Sequence, residues 1–266
     1  GLAVSMKLSA SINRLAGAQN NVQNATSFLE VQDGMLDTVG RIVDRMSELK
    51  GLASQDPMKS SQDRASYNNE FKDLQVQLHA ISQQGFNGVS LFANHTTDSN
   101  GDVEATQTLF NGKDTLRSKD NTLTIFTSTE GSGGAKVSVF KSSLLSALTM
   151  TRGKDINQQH TDGVAGNTTA TALMTSSTVI TFASASIEGT LDLDQISVGV
   201  ITQALENISY LRSQNGGSQS RLAFNLESLT QQKTNMRAAL GRIVDVDIAE
   251  ESTNLAKYSI LNQAAA

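Results

Sequence analysis

Three isolated histidines, no cysteine and scattered carboxylates are all that this sequence offers for chemistry. His79, His95 and His160 stand apart, with no H-E-x-x-H pair to set two ligands on one helical face. Neither a G-x-S-x-G elbow nor a phosphate loop occurs, and without cysteine no thiolate can attack a substrate or hold zinc. The pattern points away from an enzyme and away from a cofactor. The densest run of oxygen ligands is Asp98-Ser99-Asn100-Gly101-Asp102-Val103-Glu104, where Asp98, Asn100 and Asp102 alternate as in a calcium loop. Its twelfth position is Leu109, where an EF-hand needs a bidentate Glu, so a solvated turn is the better account. Asp245, Asp247, Glu250 and Glu251 form an acidic cluster whose spacing scatters it round a helix, as a solvated face would be.

The elements that carry these residues are read from apolar periodicity. Leu222, Leu226, Leu229, Met236, Leu240 and Ile243 recur at steps of four and three, broken only by Lys233, which is the seam of a coiled coil. Leu8, Ile12, Leu15, Val22, Leu29, Leu36, Val39, Val43 and Met46 form a second seam, and Phe71, Leu74, Leu78 and Ile81 a third. A seam needs a partner, so the two ends of the chain are expected to meet in one antiparallel bundle. Only 38% of the 266 residues are hydrophobic and none is Trp, which predicts a thin-cored, elongated protein. The net charge of -5, with Lys and Arg dispersed, excludes the basic stripe that nucleic acid demands. No apolar run is long enough for membrane insertion.

Taken in order, residues 2–50 predict one long helix or two stacked ones, ended by Pro57, the sole proline. A shorter helix follows over about 62–84 and closes at Gln84-Gly85-Phe86-Asn87-Gly88-Val89, a tight turn into an extended segment. Between Asn94 and Asp192 the seam vanishes and Thr, Ser, Gly and Asn dominate. There TLTIFTS (122–128), AKVSVF (135–140) and TVITFA (178–183) alternate as strands do, and Lys141–Met150 is expected as a short helix. Helix resumes over 194–213 with Ile196, Ile201, Leu205, Ile208 and Leu211 inward, and Asn215-Gly216-Gly217 is expected to kink or interrupt it. The fold class is thus mainly α with an inserted β domain (α+β). Three domains follow: a helical part at 1–93, a variable mainly-β domain at 94–193, and a helical part at 194–266 packed against the first.

With these residues in place, the chain resembles bacterial flagellin. The run Arg242-Ile243-Val244-Asp245-Val246-Asp247-Ile248-Ala249-Glu250, followed by Leu255 and Ile260-Leu261-Asn262-Gln263-Ala264, is similar to the family's R-I-x-D-x-D-x-A-x-E and I-L-x-Q-A. Gly1-Leu2-Ala3-Val4-Ser5, Arg45 with Glu48-Leu49, and Phe86-Asn87-Gly88 are similar to its N-terminal motifs. The resemblance covers both helical segments; residues 94–193 resemble nothing nameable, as a hypervariable middle would.

The resemblance implies a structural subunit of the flagellar filament, exported by the flagellar type III route to the cell exterior and partnered chiefly by copies of itself. It further implies an export chaperone on Leu255–Ala264, together with cap and junction proteins. Arg45, Leu49 and Glu70 match positions that Toll-like receptor five contacts in some family members, with inter-subunit packing as the plainer account. The tips that pair in the innermost filament layer are expected to lie beyond Gly1 and Ala266. Two rivals share the architecture: a hook-filament junction protein, and a cell-surface protein whose β domain captures polysaccharide or host glycan. The second wants exposed aromatics for stacking on sugars, and the middle offers only Phe110, Phe126, Phe140 and Phe182. Asn94-His95-Thr96 and Asn167-Thr168-Thr169 fit the N-glycan pattern.

Overall fold

The computed structural model describes residues 1–54, 60–93, 122–128, 130, 133–151 and 179–265. Two long helices dominate: α1, Leu2–Ser54, and α4, Val198–Ala265. Between them come α2 (Ser61–Ser82), β1 (Gly85–Phe86), β2 (Val89–Ser90), β3 (Thr122–Phe126), β4 (Lys136–Phe140), α3 (Leu144–Ala147), β5 (Thr149–Thr151) and β6 (Val179–Thr181). Short 3-10 turns lie at Ile187–Gly189 and Leu193–Gln195. Each strand pairs in a two-stranded sheet: β1 with β2, β3 with β4, β5 with β6. The expected class, mainly helical with an inserted set of strands, is the observed one.

The first segment is one continuous helix, not two stacked ones, and it ends at Ser54; Pro57 lies outside the described residues. The expected break at Asn215-Gly216-Gly217 is absent, because α4 runs through all three positions. Two glycines cost a helix about 1 kcal/mol each against Ala. The cost is offset next door, where buried Asn215 donates from Nδ2 to the Leu29 carbonyl at 2.8 Å. Helix α4 also starts later than expected, at Val198, so Asp194 belongs to a 3-10 turn and buried Ile196 to the extended link. The helix expected over Lys141–Met150 shrinks to Leu144–Ala147, since Thr149–Thr151 is taken by antiparallel pairing with Val179–Thr181.

Contacts divide the chain into two compact units, each holding a stretch of both long helices; they cut across the sequence segments 1–93, 94–193 and 194–266. In the unit of residues 1–26, 124–137 and 220–266 the helices run antiparallel, Gln19 meeting Thr230 at 3.0 Å and Gly1 lying against Asp247. Ile12, Leu15, Val22, Leu222 and Leu229 are buried there. Lys233, the interruption of the seam, reaches Gln19 Oε1 at 3.3 Å instead of facing solvent alone.

In the unit of residues 27–123 and 138–219 the same sense holds: Leu29 faces Asn215, Asp33 faces Arg212 and Gly40 faces Ile208. Helix α2 packs antiparallel to α1, with Arg45 paired to Glu70 and the Phe28 ring edge-on to Phe86 at 6.3 Å. A reciprocal capping box starts α2: Ser60 Oγ accepts from the Asp63 N–H and Asp63 from the Ser60 N–H. Its end leads into a β1–β2 hairpin whose central residues, Asn87 (φ 50°) and Gly88 (φ 77°), both have positive φ. That is the Asn-Gly type I′ turn, in which Gly88 pays no Cβ penalty. The chain then returns along α2 as a strap, 183–195, clamped by side chains. Gln75 exchanges two hydrogen bonds with the Leu191 backbone (2.8 and 2.9 Å), Asn68 accepts from the Leu193 N–H, and Lys50 Nζ donates to the Leu193 carbonyl.

Candidate assembly surface

The C-terminal part of α4 leaves its packing partner behind. The seam residues Leu222 and Leu229 are buried, while Leu226, Met236, Leu240 and Ile243 are only half-buried. Phe71, Leu78 and Ile81 of α2 are buried and Leu74 half-buried. Carried on by steps of three and four, the seam beyond Ile243 reaches Asp247, Glu250 and Asn254, all polar. The apolar residues instead move one place along the chain. Val244, Ile248, Leu255 and Tyr258 form a new stripe at the same spacing, interrupted only by Glu251. One residue turns a helix by about 100°, so this stripe faces away from the seam. Every residue from Val244 to Ala264 is exposed, Leu255 at 68% and Tyr258 at 66%.

The start of α1 belongs to the same unit and shows the same trait: Leu2, Val4 and Met6 are exposed, Leu2 at 76%. An apolar stripe of such length is unusual on a chain that stays monomeric. Arg242, Asp245, Asp247, Glu250 and Gln263 are exposed along this surface, and Asp247 lies over Gly1, where an added Cβ would come 3.0 Å from its carboxylate.

The other expected site residues fall elsewhere. Phe86 is half-buried against Phe28, with exposed Asn87 and Gly88 forming the hairpin tip. Arg45 and Glu70 are brought together: Nε and Nη2 of Arg45 donate to the two Glu70 oxygens at 2.8 and 3.0 Å, and Nη1 lies 3.1 Å from Glu48. The Arg45 hydrogen bonds hold the Glu70 carboxyl below its ordinary range. Leu49 is separated from them by burial, with no exposed surface at all, because its place on α1 faces the core. Asp98, Asn100 and Asp102 lie outside the described residues. Among the described residues no cluster of His and carboxylates is built for a metal, and no helix is long and apolar enough to cross a membrane.

Two family descriptions match this chain: the bacterial flagellin N-terminal helical region over residues 1–97 and the bacterial flagellin C-terminal helical region over residues 198–266. The chain belongs to the bacterial flagellin family. Similar relatives include flagellins of Halalkalibacterium halodurans, 26% identical over 99% of this chain and 76% of that one, and of Bacillus subtilis, 27% identical over 99% and 79%. A solved Vibrio parahaemolyticus structure described as a flagellar hook-associated protein is 16% identical with a TM-score of 0.57, covering 90% of this chain and 96% of its own. That likeness speaks for the fold alone. This flagellin is a structural subunit of the flagellar filament, self-polymerising and extracellular. The offset of the apolar stripe from the seam was present in the sequence; a reading that follows one seam at a time passes over it.

Proposed function

We propose that the stripe Val244, Ile248, Leu255 and Tyr258, with Leu2, Val4 and Met6, is the surface on which neighbouring subunits pack in the filament. The observation that carries this reading is the phase shift at Ile243: beyond it α4 changes the face it makes apolar, and the new apolar face is exposed. Burial at about 25 cal/mol per Å2 favours covering such a stripe, and a neighbouring subunit of a polymer supplies the cover. In this reading residues 94–193 form the outward variable domain, and segments 1–93 and 194–266 the helical core that polymerises. The subunit has no catalytic task. Before assembly Leu255–Ala264 is gripped by an export chaperone of the type III route, and cap and junction proteins meet the same helical core. For an innate receptor such as Toll-like receptor five, Arg45 and Glu70 offer surface while buried Leu49 offers none.

The test is to carry Ile248→Asp with Leu255→Asp in the gene encoding this chain. Electron microscopy is expected to show filaments lost or severely shortened, while the purified variant melts as the parent does, since neither residue is packed. Filaments of normal length would overturn the reading.

A further inference from the structure

One face of α4 is polar where it is most deeply buried. Gln203, Asn207, Asn215 and Ser218 recur at helical spacing and each is almost wholly buried, alongside buried Val200, Ile201, Ala204, Ile208 and Leu211 of the same helix. Opposite them sit buried Gln32 of α1 and the segment Ser142–Ala147, whose Ser142, Ser143 and Ser146 are buried too. Bonds that tie this layer together include the Ser142 N–H donating to Gln32 Oε1 at 3.2 Å, Gln203 Nε2 to Asn207 Oδ1 at 2.9 Å, Asn207 Nδ2 to the Ala147 carbonyl at 3.1 Å, and Asn215 Nδ2 to the Leu29 carbonyl at 2.8 Å.

These bonds fix both amides of interest. Turning over Gln32 would set its NH2 against the Ser142 N–H, and turning over Asn215 would set its oxygen against the Leu29 carbonyl. In those orientations Gln32 Nε2 and Asn215 Oδ1 are buried with no hydrogen-bond partner among the described residues. One is a donor and the other an acceptor. Both act at one turn of α1: Gln32 belongs to it, and Asn215 caps the carbonyl of Leu29, three residues earlier on the same helix. Ser146 Oγ, on the segment that closes over Gln32, is likewise buried and unpaired.

We infer that Gln32 Nε2 and Asn215 Oδ1 hold an internal water molecule, and that this hydrated polar layer sets the axial register of α1 against α4. A buried water needs two to four polar partners, and one unpaired donor and one unpaired acceptor on the same turn of the helix pair supply two. The functional argument is one of specificity. Apolar seams of Leu and Ile tolerate a slide by one turn, because each knob finds a similar hole; a buried amide layer does not, because a slide strands every group in it.

The chain has no cysteine, so engineered pairs report register directly. An added Cβ at Gly40 would lie 3.9 Å from Ile208 Cγ2, so the two positions face each other across the helix pair and can be probed by cysteine cross-linking. In the parent, Gly40→Cys with Ile208→Cys is expected to cross-link, and Gly40→Cys with Ala204→Cys, one turn away, is not. Adding Gln32→Leu with Asn215→Leu is expected to let both pairs form. NMR of the unsubstituted protein is expected to show long-lived water cross-peaks to the Gln32 and Asn215 side-chain amides. Absence of those cross-peaks would overturn the water site. Cross-linking confined to Gly40 and Ile208 in the Leu-substituted chain would overturn the register role, as readily as cross-linking of both pairs in the parent.

Discussion

Gln75 illustrates what one side chain decides. It is wholly buried on α2, yet it accepts from the Leu191 N–H, donates to the Leu191 carbonyl and also donates to the Phe71 carbonyl. It thereby supplies the pairing that a strand neighbour would give to an irregular strap. Gln75→Leu is expected to lower stability by about 2 kcal/mol, read from urea denaturation, because the half-buried Leu191 N–H and carbonyl lose their partners. Two surface carboxylates set the acid response. Arg45 hydrogen bonds depress Glu70, and hydrogen bonds from Asn68 and then Lys72 depress Asp192. A depressed carboxyl stabilises the fold above its unfolded pKa, and that stability is lost as pH falls through the folded value. The expected outcome is a melting temperature that drops below about pH 4. Glu70→Gln with Asp192→Asn should flatten the drop; an unchanged slope would remove both groups from the account.

Glycines separate the elements that tolerate a Cβ from those that do not. Gly216 lies within α4 with nothing within 4 Å of an added Cβ, so its flexibility serves no packing. Gly216→Ala is expected to raise stability by about 0.5 to 1 kcal/mol. Gly88 also has open space, but its φ of 77° belongs to the type I′ turn. Gly88→Ala is therefore expected to lower stability by about 1 kcal/mol, with thermal melting of the two variants moving in opposite directions. Most elements were legible from pattern: the strands at 122–126, 136–140 and 179–181 lie within the expected runs, and α2 within about two residues of its expected bounds. The failures share one cause. Asn215-Gly216-Gly217 reads locally as a break and Lys141–Met150 as a helix, yet a buried amide bond holds the first in helix and cross-strand pairing draws off the end of the second.

For the molecule as a whole, the two long helices are unequal in how they are satisfied. Residues 244–264 form helix with every side chain exposed, so this stretch is held by local bonds, its backbone ladder and the Thr253 Oγ1 bond to the Ala249 carbonyl among them, and not by a packed core. Amide hydrogen exchange there is expected to be among the fastest of any helical segment in the monomer, and to slow by orders of magnitude on incorporation into filaments. Equal protection in both states would mean that this helix gains nothing from assembly, against the packing role assigned to its apolar stripe.

By itself the sequence determined the helical ends, their antiparallel pairing, the strands described between them and the family, because each is written in local periodicity or contiguous motif. Leu222 and Leu229 announce their own burial by spacing. Only the tertiary structure decided that Leu49 is closed to any partner, that Arg45 is already engaged by Glu70 and Glu48, and that Gln32, Gln75 and Asn215 belong to the core. Those facts depend on what lies opposite each residue, and a buried amide looks in sequence the same as a solvated one. Its environment comes from chain more than a hundred residues away, with Ser142 facing Gln32, Leu191 facing Gln75 and Leu29 facing Asn215.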